Sequence, residues 1–260
     1  MKILFIGDIV GSPGREAVRE LLPGLKAEHG VDFVIANGEN AAGGSGLTPK
    51  VVQELLESGI SVITSGDHVW KKSDIFEIID KEKRILRPLN FPAGAPGSGA
   101  TLFKTETGTK IGVVNVLGRV FMDQLLECPF KTSRQAVESL SQEAKIIVVD
   151  MHAEATSEKI ALGRYLEDVA SCVLGTHTHI QTADEKILAG RCAYITDVGM
   201  TGPYDSVIGR RLEDVLKRFL TGIPVRFEVA KDDVQLHGVV VDVEESTGRA
   251  RSISRVQKKL

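Results

Sequence analysis

An α/β fold whose strands are covered on both faces is predicted by three features of the sequence. Short apolar runs alternate with helix-like segments through the first two-thirds of the chain. Those runs are continuously apolar rather than apolar on every second residue, the pattern of strands buried on both sides. Carboxylates and imidazoles follow the runs directly, where open α/β sheets place their ligand sites.

Strands are predicted at 3–6, 33–36, 61–63, 111–116, 146–149 and 171–174. A first helix over roughly 15–28 contains Pro23, which predicts a kink or break there. Thr48-Pro49 supplies an N-cap and a proline at the first helical position, with Val51, Val52, Leu55 and Leu56 as one stripe and Gly59 as the stop. Ser73 is placed to cap a helix carrying Ile75, Ile78 and Ile79. Leu212, Val215, Leu216 and Phe219 repeat at helical spacing before Gly222. Beyond Pro224 the segments 225–229, 234–243 and 250–256 read as antiparallel strands without intervening helices. The Pro- and Gly-rich stretch 88–99 and the segment 201–205 read as loops. No repeat, linker or low-complexity tract divides the 260 residues, so a single domain over 1–260 is expected.

Composition narrows the class. A net charge of −3 gives no global attraction to nucleic acid or anionic membrane. The basic spots at Lys71-Lys72, Arg210-Arg211 and 249–259 read as solvated surface. No apolar run is long enough to span a bilayer, and the run after Met1-Lys2 is too short for a signal-peptide core. Cys128, Cys172 and Cys192 form no Cys-x-x-Cys pair, which points to reduced thiols and a cytoplasmic protein.

The chemistry is concentrated at strand ends. Asp8 follows the first strand, Glu39-Asn40 the second and Asp67-His68 the third; His152 and the pair His177/His179 follow two later ones. Any one of these has an ordinary structural explanation as a turn residue or a hydrogen-bonded histidine. Four of six histidines at strand ends is a different matter, because chance scatters them. Nitrogen and oxygen donors without thiolate suit iron, manganese or zinc. Seven donors besides His68 exceed one tetrahedral ion and fit two ions about a shared carboxylate, at roughly 3.5–4 Å separation. Such a pair makes hydroxide available near neutral pH and stabilises charge on a phosphoryl group, so a metal-dependent phosphoester hydrolase is expected. Gly7, Gly11 and Gly14 match neither dinucleotide nor P-loop spacing, and no Gly-x-Ser-x-Gly elbow occurs.

Arg119 and Phe121 follow a strand and have two readings. They either reach over the site to bind phosphate and stack a base, or serve as surface and core residues. Trp70 reads as packing.

The order of the segments resembles the calcineurin-like metallophosphoesterase superfamily, with its Asp, Gly-Asp, Gly-Asn-His, His and Gly-His-x-His elements. Longer strings resemble one bacterial branch, the YmdB-like family. They are Gly7-Asp8-Ile9-Val10-Gly11-Ser12-Pro13-Gly14-Arg15, residues 36–44, residues 87–92 and residues 115–122. The resemblance covers essentially the whole chain. It implies a four-layer α/β/β/α metallophosphoesterase sandwich with two mixed sheets. It further implies two iron or manganese ions, zinc being the alternative, and hydrolysis of cyclic nucleotides of the 2′,3′ type by a metal-bridging hydroxide. By position, Glu39 would bridge the ions. Asp8, Asn40 and His179 would complete one site, and Asp67, His152 and His177 the other. His68 would protonate the leaving oxygen or hold the phosphate. RNA 3′ ends are a further substrate class to consider, and self-association stays open. A phosphomonoesterase, or a regulatory protein that binds RNA or a cyclic nucleotide, are the rival readings.

Two departures stand out. Val10 occupies a position where the superfamily usually carries histidine, and Asp67 stands where the pattern has asparagine. The added carboxylate is expected to shift metal preference or pH optimum without abolishing activity.

Overall fold

The computed structural model describes residues 1–260. The chain begins with β1 (Lys2–Ile6), β2 (Asp8–Ile9), α1 (Gly11–His29), β3 (Phe33–Asn37), α2 (Pro49–Glu57) and β4 (Val62–Thr64). It continues through β5 (Ala100–Lys104), β6 (Lys110–Leu117), α3 (Pro129–Ser141), β7 (Ile146–His152), α4 (Thr156–Leu166) and β8 (Cys172–Thr176). The last third contains β9 (Lys186–Leu188), β10 (Cys192–Ile195), β11 (Met200–Pro203) and α5 (Leu212–Thr221). The hairpin β12 (Val234–Val243) and β13 (Ala250–Lys259) closes it.

Two mixed sheets result. One runs β2-β11-β12-β1-β3-β4, with β13 beside β12; the other runs β5-β6-β7-β8-β10-β9. In the first, β1, β3 and β4 are parallel and β12 is antiparallel to β1. In the second, β6, β7, β8 and β10 are parallel, with antiparallel β5 and β9 at the edges.

Strand alternation builds the layers. On β1, Leu4 and Ile6 pack with Val18, Leu22 and Leu25 of α1, whereas Ile3 and Phe5 pack with Val113 and Val148 of the facing sheet. On the second sheet, Val149 and Val173 turn the other way to meet Val137 of α3 and Leu162 and Leu166 of α4. The order is helices, sheet, sheet, helices, the four-layer sandwich. Both faces of the central strands are apolar because both are covered. No helix is long and apolar enough to cross a membrane.

Several local expectations are corrected. α1 runs unbroken through Pro23, because Val18, Leu22 and Leu25 hold both sides of the proline on the sheet. The segment after Lys72 is a 3-10 turn, Ser73–Glu77, and Ser73 caps nothing; Ile75 and Ile79 are buried core nonetheless. Residues 225–229 form no strand and contribute only a bridge between Val229 and Arg210. Residues 201–203 lie in β11 rather than a loop, paired with β2 and β12. The stretch 88–99 is a loop, but Asn90 is buried and exchanges hydrogen bonds with the Leu117 backbone, which braces the end of β6. α5 ends at Gly222 as expected, yet Val215 is the only buried member of its stripe.

Candidate metal centre

The carboxyl ends of strands from both sheets meet at one place. The junction of β1 with β2 brings Asp8, and β3 and β4 bring Glu39-Asn40 and Asp67-His68, from one sheet; β7 and β8 bring His152 and His177/His179 from the other. Donor atoms of Glu39, Asp67, His152 and His177 all lie within 4.8 Å of one another, a cluster able to hold a metal ion. Asp8, Asn40 and His179 adjoin it. Asn40 Nδ2 donates to Glu39 Oε1 at 2.8 Å and sits 3.2 Å from His179 Nε2; Asp8 Oδ1 is 3.9 Å from His179 Nε2 and 3.8 Å from His152 Nδ1.

Glu39 stands between the two groups. Its Oε1 faces Asn40, and its Oε2 lies 3.1 Å from His152 Nε2. His152 Nε2 is in turn 3.3 Å from Asp67 Oδ1 and 3.0 Å from His177 Nδ1. His68 lies at the rim, its Nδ1 2.8 Å from Asn40 Oδ1 and 3.4 Å from Glu39 Oε1.

These residues fit a cation by two independent criteria. Asp8 Oδ1 and Asp67 Oδ1 are buried oxygens without any hydrogen-bond partner, a costly state unless a ligand satisfies them. A Cβ at position 66 would overlap Glu39 Oε2 and His152 Nε2, so Gly66 keeps the space between the donors open.

Charge gives the same answer. Burial pushes the Asp8 carboxyl well above the usual range, with Glu39 and Asp197 adding to the rise and His152 opposing it. Burial also works against ionised Glu39, but His152 and His68 hold it well below its ordinary value. His152 is buried, yet Glu39, Asp67 and Asp8 drive its pKa well up. The buried carboxylates thus favour positive charge at this point. His177, beside it, is pushed down to about 4 by burial and by His152.

The imidazoles are aimed from behind. His152 Nδ1 bonds Thr176 Oγ1 at 2.8 Å, and that hydroxyl donates to Asp150 Oδ1 at 2.7 Å. Thr64 and Asn37 donate to Asp150 Oδ2. His179 Nδ1 donates to the Ile208 carbonyl at 2.9 Å. Each arrangement leaves Nε2 facing the cluster. The loop carrying His177 and His179 is bent sharply, with φ of 98° and 66° at these two residues. Asp197 holds it by accepting from the Thr178 N–H and hydroxyl, and Lys159 donates to the same Asp197 oxygen at 2.8 Å.

Sequence reasoning missed Asp150, Asp197, Lys159 and Glu154. Glu154 places Oε2 3.2 Å from His177 Nε2. Nothing in the sequence marked them, since a lone charged residue inside an apolar run or a helix is not distinctive. Arg119 and Phe121 do not join the cluster. The Arg119 N–H donates to Glu158, its side chain has no hydrogen-bond or ion-pair partner, and Phe121 is 84% exposed, which excludes a core role. Trp70 stacks on Phe76 at 5.3 Å and packs as expected.

A family model described as YmdB-like protein matches residues 4–256. The chain belongs to the YmdB-like family. A Bacillus subtilis relative, a 2′,3′-cyclic-nucleotide 2′-phosphodiesterase, is 49% identical over 256 residues, covering 98% of this chain and 96% of its own. Two crystal structures of similar proteins each superpose with a TM-score of 0.93. One is a hypothetical protein from Thermus thermophilus, 41% identical, with 100% of this chain and 99% of that one covered. The other is a novel phosphatase from Mycoplasma pneumoniae, 35% identical, with 100% and 93% covered.

Proposed function

We propose that this protein is a metal-dependent phosphodiesterase that hydrolyses 2′,3′-cyclic nucleotides. The observation carrying the proposal is the 49% identity, over nearly all of both chains, to a relative with that activity, in a chain that gathers a buried donor cluster. In the reaction a water oxygen adds to phosphorus, one phosphorus–oxygen bond of the ring breaks, and the released ribose oxygen takes a proton.

Two ions are assigned, with iron or manganese preferred over zinc for an oxygen-rich donor set lacking thiolate. Glu39 would be the bridging carboxylate, a role supported by its two oxygens addressing different neighbours. Asp8, Asn40 and His179 would hold one ion; Asp67, His152 and His177 would hold the other. When bound, such a pair supplies Lewis acidity and lowers the pKa of water. The protein orients the donors through Asp150, Thr176 and the Ile208 carbonyl, and excludes solvent from Asp8, Glu39 and His152.

His68 is assigned as the proton donor to the leaving oxygen. Burial disfavours its charged form, but Glu39 and Asp67 outweigh burial and raise its pKa, which keeps a proton available. His68→Ala is expected to lower kcat by about 10²–10⁴-fold with metal content unchanged. Loss of metal on elemental analysis would instead make His68 a ligand.

Asp67 adds a third carboxylate beside Asp8 and Glu39. Asp67→Asn is expected to weaken metal retention and move the pH–rate profile to lower pH, since a nearby negative charge opposes deprotonation. Identical profiles and metal content in the two proteins would remove any distinct role for the carboxylate.

Turnover of 2′,3′-cyclic AMP compared with 4-nitrophenyl phosphate tests the reaction class. Preference for the cyclic diester is expected; a preference for the monoester contradicts the proposal. Cys128, Cys172 and Cys192 are free thiols, which supports a reducing, cytoplasmic setting. On α5, Phe219 and Leu220 stand 76% and 82% exposed, which supports self-association.

A further inference from the structure

Beside His68 lies an open groove of about 680 Å³ whose walls carry Lys71, Lys72, Arg210, Arg226 and Phe227. Far apart in the chain, these residues read singly as solvated surface. Together they place four cations on one groove in a protein of net charge −3. None of the four forms an ion pair, whereas Arg15, Arg84, Arg134 and Arg211 all do. The groove's one carboxylate, Glu228, is engaged by Arg211 at 3.1 Å. Arg210 is fixed in place by donating to the Gly44 carbonyl, on the same loop that carries Asn40.

Charge matching decides what this groove is suited to. A 2′,3′-cyclic mononucleotide carries a single negative charge, and the donor cluster with His68 already faces it. Four cations beyond that point, none in an ion pair, exceed what the single charge of a mononucleotide can match. An RNA strand ending in a 2′,3′-cyclic phosphate presents the same reactive group and adds one negative charge per upstream phosphodiester. Phe227, whose ring lies 5.4 Å from the Arg218 guanidinium, stands beside these cations as an aromatic surface of the kind on which single-stranded bases stack.

We infer that the substrates include RNA 3′ ends bearing a 2′,3′-cyclic phosphate, whose upstream phosphates lie along the groove of Lys71, Lys72, Arg210 and Arg226. This rests on the hydrolase reading and specifies its substrate. The product is an RNA with a terminal phosphomonoester, formed by the same addition of water and opening of the ring.

The test compares kcat/KM for 2′,3′-cyclic AMP and for a triadenylate with a terminal 2′,3′-cyclic phosphate, in wild-type protein and in the Lys72→Glu, Arg226→Glu double variant. Wild type is expected to favour the trinucleotide by about tenfold at low salt. With two additional phosphate contacts at a slope of about −0.7 each, that preference falls roughly sevenfold between about 50 and about 200 mM salt. The double variant is expected to lose the preference and keep its rate on the mononucleotide. Equal rates on both substrates in wild type, or a preference that survives in the variant, overturns the groove inference and leaves the hydrolase reading standing. Failure to hydrolyse either substrate with metal supplied overturns the hydrolase reading, and the inference with it.

Discussion

Glu39→Gln is expected to lower kcat/KM for 2′,3′-cyclic AMP by on the order of 10³-fold while the protein stays folded. Glu39 is 1% exposed and directs one oxygen to Asn40 and the other towards His152. Glutamine preserves the shape and removes the charge. It also replaces one acceptor oxygen with an amide nitrogen, so one of the two neighbours loses its partner. Without metal, Glu39 is the foremost charge raising the pKa of His152 against its burial. With a neutral amide in its place, the pKa of His152 falls towards that of a buried neutral imidazole. Elemental analysis should show reduced metal, and circular dichroism should show an unchanged fold. A variant that keeps its rate and its metal would show that Glu39 is not the bridge.

Lys159→Met has the second largest expected effect, on stability and through it on the site. Lys159 and Asp197 are fully buried and lie 2.8 Å apart. Removing the ammonium leaves a buried carboxylate unpaired, a change that costs about 3–5 kcal/mol. The consequence reaches the donors because Asp197 also holds Thr178, between His177 and His179, and the Gly199 N–H. Those histidines have positive φ, which persists only where the surroundings enforce it. The variant should melt at lower temperature and bind metal more weakly, with activity partly restored by excess metal. Adding Asp197→Asn removes the uncompensated charge and should recover part of the stability. A single variant as stable as wild type would show that the pair does not support the loop.

Much of this was legible in the sequence for physical reasons. Strands covered on both faces must be apolar throughout, so Ile3, Leu4, Phe5 and Ile6 announced a buried strand without revealing that alternate residues face a helix and a second sheet. The donors were legible because they sit at strand ends in the chain as in space. Less was readable where the deciding partner is distant. Pro23 reads as a break until the packing of α1 is known, and α5 carries a stripe of which only Val215 is buried in this chain. Asp150, Lys159 and Asp197 look like surface charges and are buried supports. Lys71, Lys72, Arg210 and Arg226 line one groove only because the loop after β4 and the segments flanking α5 fold beside each other.

The most direct test of the central claim is the rate on 2′,3′-cyclic AMP followed through removal and return of metal, with ions per chain measured at each stage. Turnover should disappear on chelation and return with manganese or iron, reaching its maximum as two ions per chain are restored. Full activity with the metal removed to background would contradict the assignment of Asp8, Glu39, Asn40, Asp67, His152, His177 and His179 to a catalytic metal pair.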